Sequence, residues 1–425
     1  MTALTRHELG ADELPLDAGA RLAVRHVRAV LADRVVDDAT VVCEDGRIVS
    51  IVAGGPAPAD AIDGRGAFLL PGLVDSHSDG LEKEIRPRPT SKFGEDFALR
   101  NFEGRLLAAG ITTVFHGVGF EERTDSAWAA ASGRSIAQAE ASCRAIAARD
   151  HSTGVPVDHR VLYRMEARSP VGIDEAEAHF ARPEHAIDGG DALPLVSFED
   201  HSPGQGQFRS LEKFAEAVPD DKLPDGLTKA EYVAERVAAA EAALALRHRT
   251  LHRLVALARA GRIRLLAHDC EDADQVSEAH DEWAAAVAEF PLTLDAASRA
   301  RALGMEVVMG APNVLLGGSH SGNVAAEDTV RAGLCSALAS DYLPASMLAA
   351  AFELVDRGAI DLPGAVALVT SGPARVAGLV DRGRLEPGLR ADLVLVSLDG
   401  RWPRVHATWR AHTAGAAPMT TSAEE

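Results

Sequence analysis

Six imidazole and carboxylate side chains close apolar runs at scattered points of the chain: His77, Asp79, Glu166, His201, His268 and Asp341. The first two stand in LLPGLVDSHSDGLEKEIRPRP (69–89), where a Pro-Gly turn and an apolar run end on the histidine and, two positions later, the aspartate. Residues i and i+2 of a strand share a face, so this pair can hold one cation. Taken alone, the stretch is equally well a strand running out into a polar turn. Repetition separates the two readings, because several independent strand ends of metal-ligand type are an improbable accident. A nitrogen and oxygen donor set without thiolate suits Zn²⁺ first, then Mn²⁺ or Fe²⁺, as one ion or two. Such a cation lowers the pKa of bound water toward neutrality and supplies the nucleophile. Asp341, at the last strand, is the candidate general base that takes the water's proton and passes it to a leaving group. Glu166 is the candidate bridge if two ions bind.

The elements that must position these residues alternate. Candidate strands are LVDSHSD (73–79), TTVFHGV (112–118), VLYRMEA (161–167), LVSFEDH (195–201), RLLAHD (264–269), AEFPLT (288–293), EVVMGAP (306–312) and CSALASD (335–341), with helical patterns between most of them. The longest helical pattern starts at Thr228, with Glu231 three residues on as a capping box, and runs to a stop near Gly261. Eight strands alternating with helices predict an α/β fold, a (β/α)8 TIM-type barrel, whose strand C-termini form the mouth. A doubly wound open sheet is the alternative, but no Gly-rich GxGxxG follows the first strand. Both ends of the chain are β in pattern. RLAVRHVRAVL leads into ATVVCEDGRIVSIV, where Asp45-Gly46 joins two β-branched runs as a hairpin, and GRLEPGLRADLVLVSLDG (383–400) with RVHATWRA (404–411) supplies more strands. The expected layout is a small β-sandwich domain from 21–68 and 379–412, a hydrolase barrel over 69–378, and tails at 1–20 and 413–425.

The chain has 425 residues, 47% hydrophobic and 25% charged, enough to bury a large core. Its formal net charge of -20 argues against nucleic acid or an anionic membrane as partner, and leaves a small molecule. An anionic substrate would need a local cationic site. Cys43, Cys143, Cys270 and Cys335 are scattered without a CxxC pair, which fits a reducing compartment and excludes a Cys-based zinc site. With no apolar signal core at the start and no apolar run of membrane length, the expectation is a cytoplasmic protein.

PGLVDSHSD, GITTV (110–114), the strand-ending histidines, SDY (340–342) and the closing GRLEPGLRADLVLV resemble the amidohydrolase superfamily of metal-dependent hydrolases. More specific stretches, LEKEIRPRP (81–89), SFEDHSPGQGQF (197–208), MGAPNVLLGGSHSGNVAA (309–326) and SDYLPASML (340–348), are similar to its phosphonate-pathway diphosphatase branch. The resemblance covers roughly residues 21 to 412. It implies metal-dependent attack of water on the 5-triphosphate of α-D-ribose 1-methylphosphonate 5-triphosphate, releasing diphosphate. By position it implies His77, Asp79, Glu166, His201, His268 and Asp341 as metal ligands, with Asp341 also the base. It makes a homo-oligomer of two or four copies unsurprising. The usual first-strand motif is His-x-His, whereas here it is His77-Ser78-Asp79. No lysine lies in the fourth-strand region, so Glu166 must bridge if two ions bind.

The same resemblance directs attention to phosphate contacts. Lys83, Arg86 and Arg88 follow the first strand and could meet phosphate oxygens, the bland alternative being a solvated loop. Gly318, Ser319 and His320 in GGSHSGN offer backbone N–H groups and side chains as an anion cradle, or form an ordinary turn. Arg164 could clamp a phosphate or sit in a buried ion pair; Gln205 and Asn313 lie in the family-like loops. His116, His151 and His159 are expected as core or supporting histidines, and Cys270 and Cys335 as small buried residues. Two other functions remain open. One is a metal-dependent amidase, cyclic amidase or deaminase acting on a C–N bond, since one barrel hosts many chemistries. The other is a barrel kept for assembly without catalysis.

Overall fold

The computed structural model describes residues 21–411, apart from 89, 123–133, 151, 153, 181–191, 219, 221–222, 225 and 320–322. The chain begins with strands β1 (Arg21–Val30), β2 (Val35–Glu44), β3 (Arg47–Ala53), β4 (Ile62–Asp63) and β5 (Phe68–Pro71). Eight more follow with helices between most of them: β6 (Leu73–Ser78), β7 (Ile111–Gly119), β8 (Asp158–Glu166), β9 (Leu195–Glu199), β10 (Arg264–His268), β11 (Val287–Glu289), β12 (Glu306–Gly310) and β13 (Ala337–Ala339). Strands β14 (Leu393–Asp399) and β15 (Trp402–Trp409) complete the described chain.

Strands β6 to β13 pair in parallel, each beside its neighbour in the chain, as the strand–helix alternation predicts. Their inward faces meet in a central apolar layer that includes Phe115, Leu162, Leu195, Leu266, Val287 and Val308. Ala374, Val376, Ala377 and Leu379 join that layer from the C-terminal segment. Outward residues such as Tyr163, Met165, Phe198, Leu265 and Met309 pack with the surrounding helices in a second, larger cluster. The two-residue period then has a chemical consequence. Two positions beyond Leu162, Leu195, Leu266 and Val287 stand Arg164, Ser197, His268 and Glu289, on the same face and about 6.6 Å nearer the mouth. The interior is thus apolar in the middle and polar at the strand C-termini.

The ring closes between β13 and β6 by few bonds. Ser78 and Asp341 form an isolated parallel bridge, with Asp341 N donating to His77 O at 3.0 Å and Asp79 N donating to Asp341 O at 2.6 Å. Fully buried Asp75 supports the seam by accepting from Ser340 N at 3.0 Å and His77 N at 3.3 Å.

The terminal strands form one continuous mixed sheet, in the order β15-β14-β5-β1-β2-β3 with β4 beside β1, around its own apolar cluster. Strand β5 pairs with β1 and β14, so Leu69–Pro71, expected in the barrel, belong to this sheet and the barrel starts at Leu73. The Asp45-Gly46 hairpin has φ of 50° and 69°, the two positive values of a type I′ turn. The capping box at Thr228 and Glu231 is present, but the long helix breaks at Ala243 into Lys229–Ala242 and Leu244–Arg259. Both expected tails lie outside the described residues. Among the described residues no helix is long and apolar enough to cross a membrane.

The C-terminal segment reaches the barrel through Arg382, which is 1% exposed. Its guanidinium donates to Asp158 on β8 and to Thr113 Oγ1 on β7 at 2.9 Å. Removing one partner of a buried ion pair leaves an uncompensated charge. Arg382→Met is therefore expected to lose about 3–5 kcal/mol of unfolding free energy in denaturant titrations, and an unchanged midpoint would refute this role.

Candidate metal centre

Glu289 ends β11 at 0% exposure, and three donors converge on its carboxylate. His77 Nδ1–H and His268 Nδ1–H each donate to it at 2.8 Å, and Ser197 Oγ–H donates at 2.6 Å. With both Nδ1 atoms engaged, the Nε2 atoms of the two imidazoles are left to act as ligands. His77 Nε2 lies 3.6 Å from Asp79 Oδ1, and His268 Nε2 lies 3.7 Å from Asp269 Oδ1. The rings are 5.9 Å apart, with Phe290 packed 5.1 Å from one and 5.3 Å from the other.

Beside the His77–His268–Glu289 group, two further sets of donors stand among the described residues. His77, Asp79 and Asp341 form one and His201, His268 and Asp269 the other, each with ligand atoms within 4.8 Å of one another. Asp79 Oδ1 is buried with no hydrogen-bond partner, an orphan acceptor that a cation would satisfy. Nitrogen and oxygen donors without thiolate fit Zn²⁺, Mn²⁺ or Fe²⁺ on chemistry alone. Of the six ligands expected from sequence, five fall in these two sets. Glu166 instead accepts from His201 Nδ1–H at 3.0 Å, holding that ring from behind as Glu289 holds the other two.

A cavity of about 300 Å³ opens over the donors, lined also by Arg164, Asn313, Ser319 and Tyr342. Lys83 is exposed and is not among the lining residues, but its ammonium lies 4.5 Å from the centre of the ring of Tyr342, which is one of them. Arg164 is committed: it donates to Glu199 at 2.8 and 2.9 Å and to Asp79 Oδ2 at 2.6 Å. Arg86 lines a separate small cavity and Arg88 is exposed in a bridge to Ser91. Gln205 bonds back to Gly204 O; its neighbour Gln207 lines the cavity instead. Asn313 Oδ1 accepts from Ala326 N, and Gly318 N donates to Asn313 O. His320 and His151 lie outside the described residues. His116 and His159 form a buried chain with Glu103 away from the mouth. Cys270 is buried and Cys335 partly so.

Glu289, Glu199 and Asp269 are the residues that sequence reasoning passed over. The signal for Glu289 was present, since VAE closes the sixth strand with a carboxylate just as RME closes the third. Asp269 directly follows a residue already singled out.

The electrostatics of these side chains follow from their contacts. Burial opposes the charged form of His268, yet Asp269, Glu199 and Glu289 prevail and push it up to about 9. His77 and His201 move the same way, against burial, under Glu289 with Asp79 and under Glu166 with Glu199 respectively. Asp341 is raised by burial and by the neighbouring Asp79.

A profile described as "Amidohydrolase family" matches residues 68–419. The chain is 35% identical over 391 residues to the alpha-D-ribose 1-methylphosphonate 5-triphosphate diphosphatase of Escherichia coli (strain K12), covering 91% of this chain and 98% of that one. In fold it is similar to 5-methylcytosine deaminase from Klebsiella pneumoniae, with a TM-score of 0.59, 15% identity, and coverage of 92% and 96% of the two chains. N-acetylglucosamine-6-phosphate deacetylase from Pasteurella multocida is also similar, with a TM-score of 0.54, 12% identity, and coverage of 92% and 99%.

Two outcomes are expected. In Glu289→Gln the amide oxygen can serve only one of the two imidazole N–H groups well, so apparent Zn²⁺ affinity should fall about 10–100-fold in chelator competition. Unchanged affinity would remove Glu289 from its role. The second concerns pH. A cation binds neutral imidazole, whereas His268 in the metal-free protein is raised from 6.5 to about 9. Its proton stabilises the metal-free fold fully below pH 6.5, and that contribution is lost as pH rises through 9. Metal affinity should therefore climb across the same interval with proton release, measured by calorimetry in buffers of different ionisation enthalpy. A flat profile would contradict it.

Proposed function

The chain belongs to the amidohydrolase family, and from that premise we infer that this hydrolase cleaves the 5-triphosphate of α-D-ribose 1-methylphosphonate 5-triphosphate, leaving the 5-phosphate and releasing diphosphate. The observation that carries the reading is the near end-to-end similarity to the Escherichia coli diphosphatase. Zinc is the cation we assign to the two donor sets, as one ion or two. Bound there, it supplies Lewis acidity toward a phosphoryl oxygen and a water of lowered pKa.

The protein's own groups supply the rest. We assign the water's proton to Asp341, whose backbone N donates to His77 O and whose carboxylate belongs to the first donor set. Burial and Asp79 raise its proton affinity, which suits a base. Gln207, Asn313, Asn323 and Ser319 present amides and a hydroxyl to the cavity as partners for phosphate oxygens. Lys83, stacked on the Tyr342 ring that lines the cavity, is the cation we assign to the incoming triphosphate. The four cysteines are free thiols, in keeping with a cytoplasmic enzyme.

A second reading, hydrolysis of a C–N bond, draws on one observation: Asp79, Asp269 and Asp341 line the cavity, while its Arg164 is already paired with two carboxylates. The two readings part on product. With the metal-loaded protein, diphosphate release from the ribose triphosphate ester is expected, and ammonia from an amide or amine panel is not. Ammonia alone would reverse the order. In Asp341→Asn, kcat for diphosphate release should drop about 10²–10⁴-fold.

A further inference from the structure

Arg164 sits where a phosphate clamp would be expected, yet its hydrogen bonds run to the protein. It is 7% exposed, and its fork holds Glu199 through Nε and Nη2 while Nη1 holds Asp79 Oδ2 at 2.6 Å. Fixing Oδ2 in this way sets the rotation of the Asp79 carboxylate. The other oxygen, Oδ1, is left buried, without a hydrogen bond, 3.6 Å from His77 Nε2. On its far side Arg164 restrains Glu199, whose Oε2 lies 3.8 Å from His201 Nδ1. One guanidinium thus spans from a donor of the first set to the neighbour of a donor of the second.

The strand beside it is shaped for this contact. Gly117, at an inward position of β7, faces both partners: a Cβ there would stand 2.5 Å from Asp79 Oδ1 and 3.0 Å from Arg164 Cδ. Any side chain at 117 would push the Asp79 carboxylate out of place. Glu199 cannot turn to solvent, being 2% exposed, and Arg164 supplies its side-chain hydrogen bonds, with His268 and His201 adding to its stabilisation as an anion.

We propose that Arg164, with the space left by Gly117, is a positioning residue that holds Asp79 and Glu199 so that both donor sets keep their metal-binding geometry, and that it does not bind substrate phosphate. This deepens the metal-dependent reading of the site and rests on it, but is independent of which ester is hydrolysed. Bidentate geometry is what lysine cannot reproduce: a lysine at 164 carries the charge but can serve only one carboxylate well.

The test uses full-length, metal-stripped protein titrated with Mn²⁺ alone, so no substrate enters the first readout. Arg164→Gln and Gly117→Ala should each weaken Mn²⁺ binding 10-fold or more, with Arg164→Lys between them and the unaltered protein. The second readout is steady-state kinetics at saturating Mn²⁺ on the ribose triphosphate ester, where kcat should fall while KM stays within about threefold. Unchanged or tighter Mn²⁺ binding in Arg164→Gln, together with a tenfold rise in KM, would overturn the proposal and return Arg164 to phosphate binding. If Arg164→Gln does not fold by circular dichroism, Gly117→Ala and Arg164→Lys decide alone. Wild-type Mn²⁺ affinity in both would overturn the proposal. Loss of Mn²⁺ binding by the unaltered protein would instead defeat the metal-dependent reading.

Discussion

A single carboxylate with no exposure to solvent, shared between two imidazoles, is the constraint on which the centre depends. Ionised Glu289 is costly to bury, and it persists because three donors surround it. Burial presses its pKa upward, but His77 and His268 hold it well below the usual carboxylate range. In return Glu289 fixes which nitrogen of each ring is engaged and how the rings are turned. Glu166 does the same for His201 from the third strand, and Arg164 for Asp79. Supporting contacts around the donors therefore come from β8, β9 and β11 together, which ties the site to the integrity of the whole ring.

The barrel seam adds a second constraint. Strands β13 and β6 meet through a bridge made by residues of the centre itself, so ring closure and placement of His77, Asp79 and Asp341 are one event. Backbone strain gathers at the same level. Asp269, Phe290 and Asp341, each the first or second residue beyond a strand end, have φ of 57°, 53° and 54°. That region is unfavourable for side chains with a Cβ, by about 1–3 kcal/mol each, and persists only where surrounding structure dictates it. The turn at Phe290 places its ring against both His77 and His268, and the turn at Asp341 puts its carboxylate in the cavity wall.

Charge shapes what the cavity can accept. A chain of net charge -20 repels a triphosphate at long range, and three aspartates line the mouth. Arg164 does not offset them for a ligand, because Asp79 and Glu199 already take its hydrogen bonds. On the proposed function, a cation held by the two donor sets and Lys83, stacked on Tyr342, would reverse the field at short range.

Much of this was legible in the linear chain. Eight apolar runs of strand length, alternating with helical patterns, determined a parallel barrel, because side-chain period and burial follow directly from local sequence. The same period marked His77, Asp79, His201, His268 and Asp341 as polar ends of apolar strands, and the hairpin at Asp45-Gly46 and the cap at Thr228 were equally local. What the chain order could not express was pairing across the ring. Glu289 meets His77 over 212 residues and Arg164 meets Asp79 over 85, separations at which neither periodicity nor composition carries information. That Arg164 meets Asp79 and Glu199, that Glu166 meets His201, and where the β5 segment pairs emerged only when closure of the barrel set those groups face to face. Hydrogen bonds and Coulomb forces act over a few ångströms of space and are indifferent to distance along the chain.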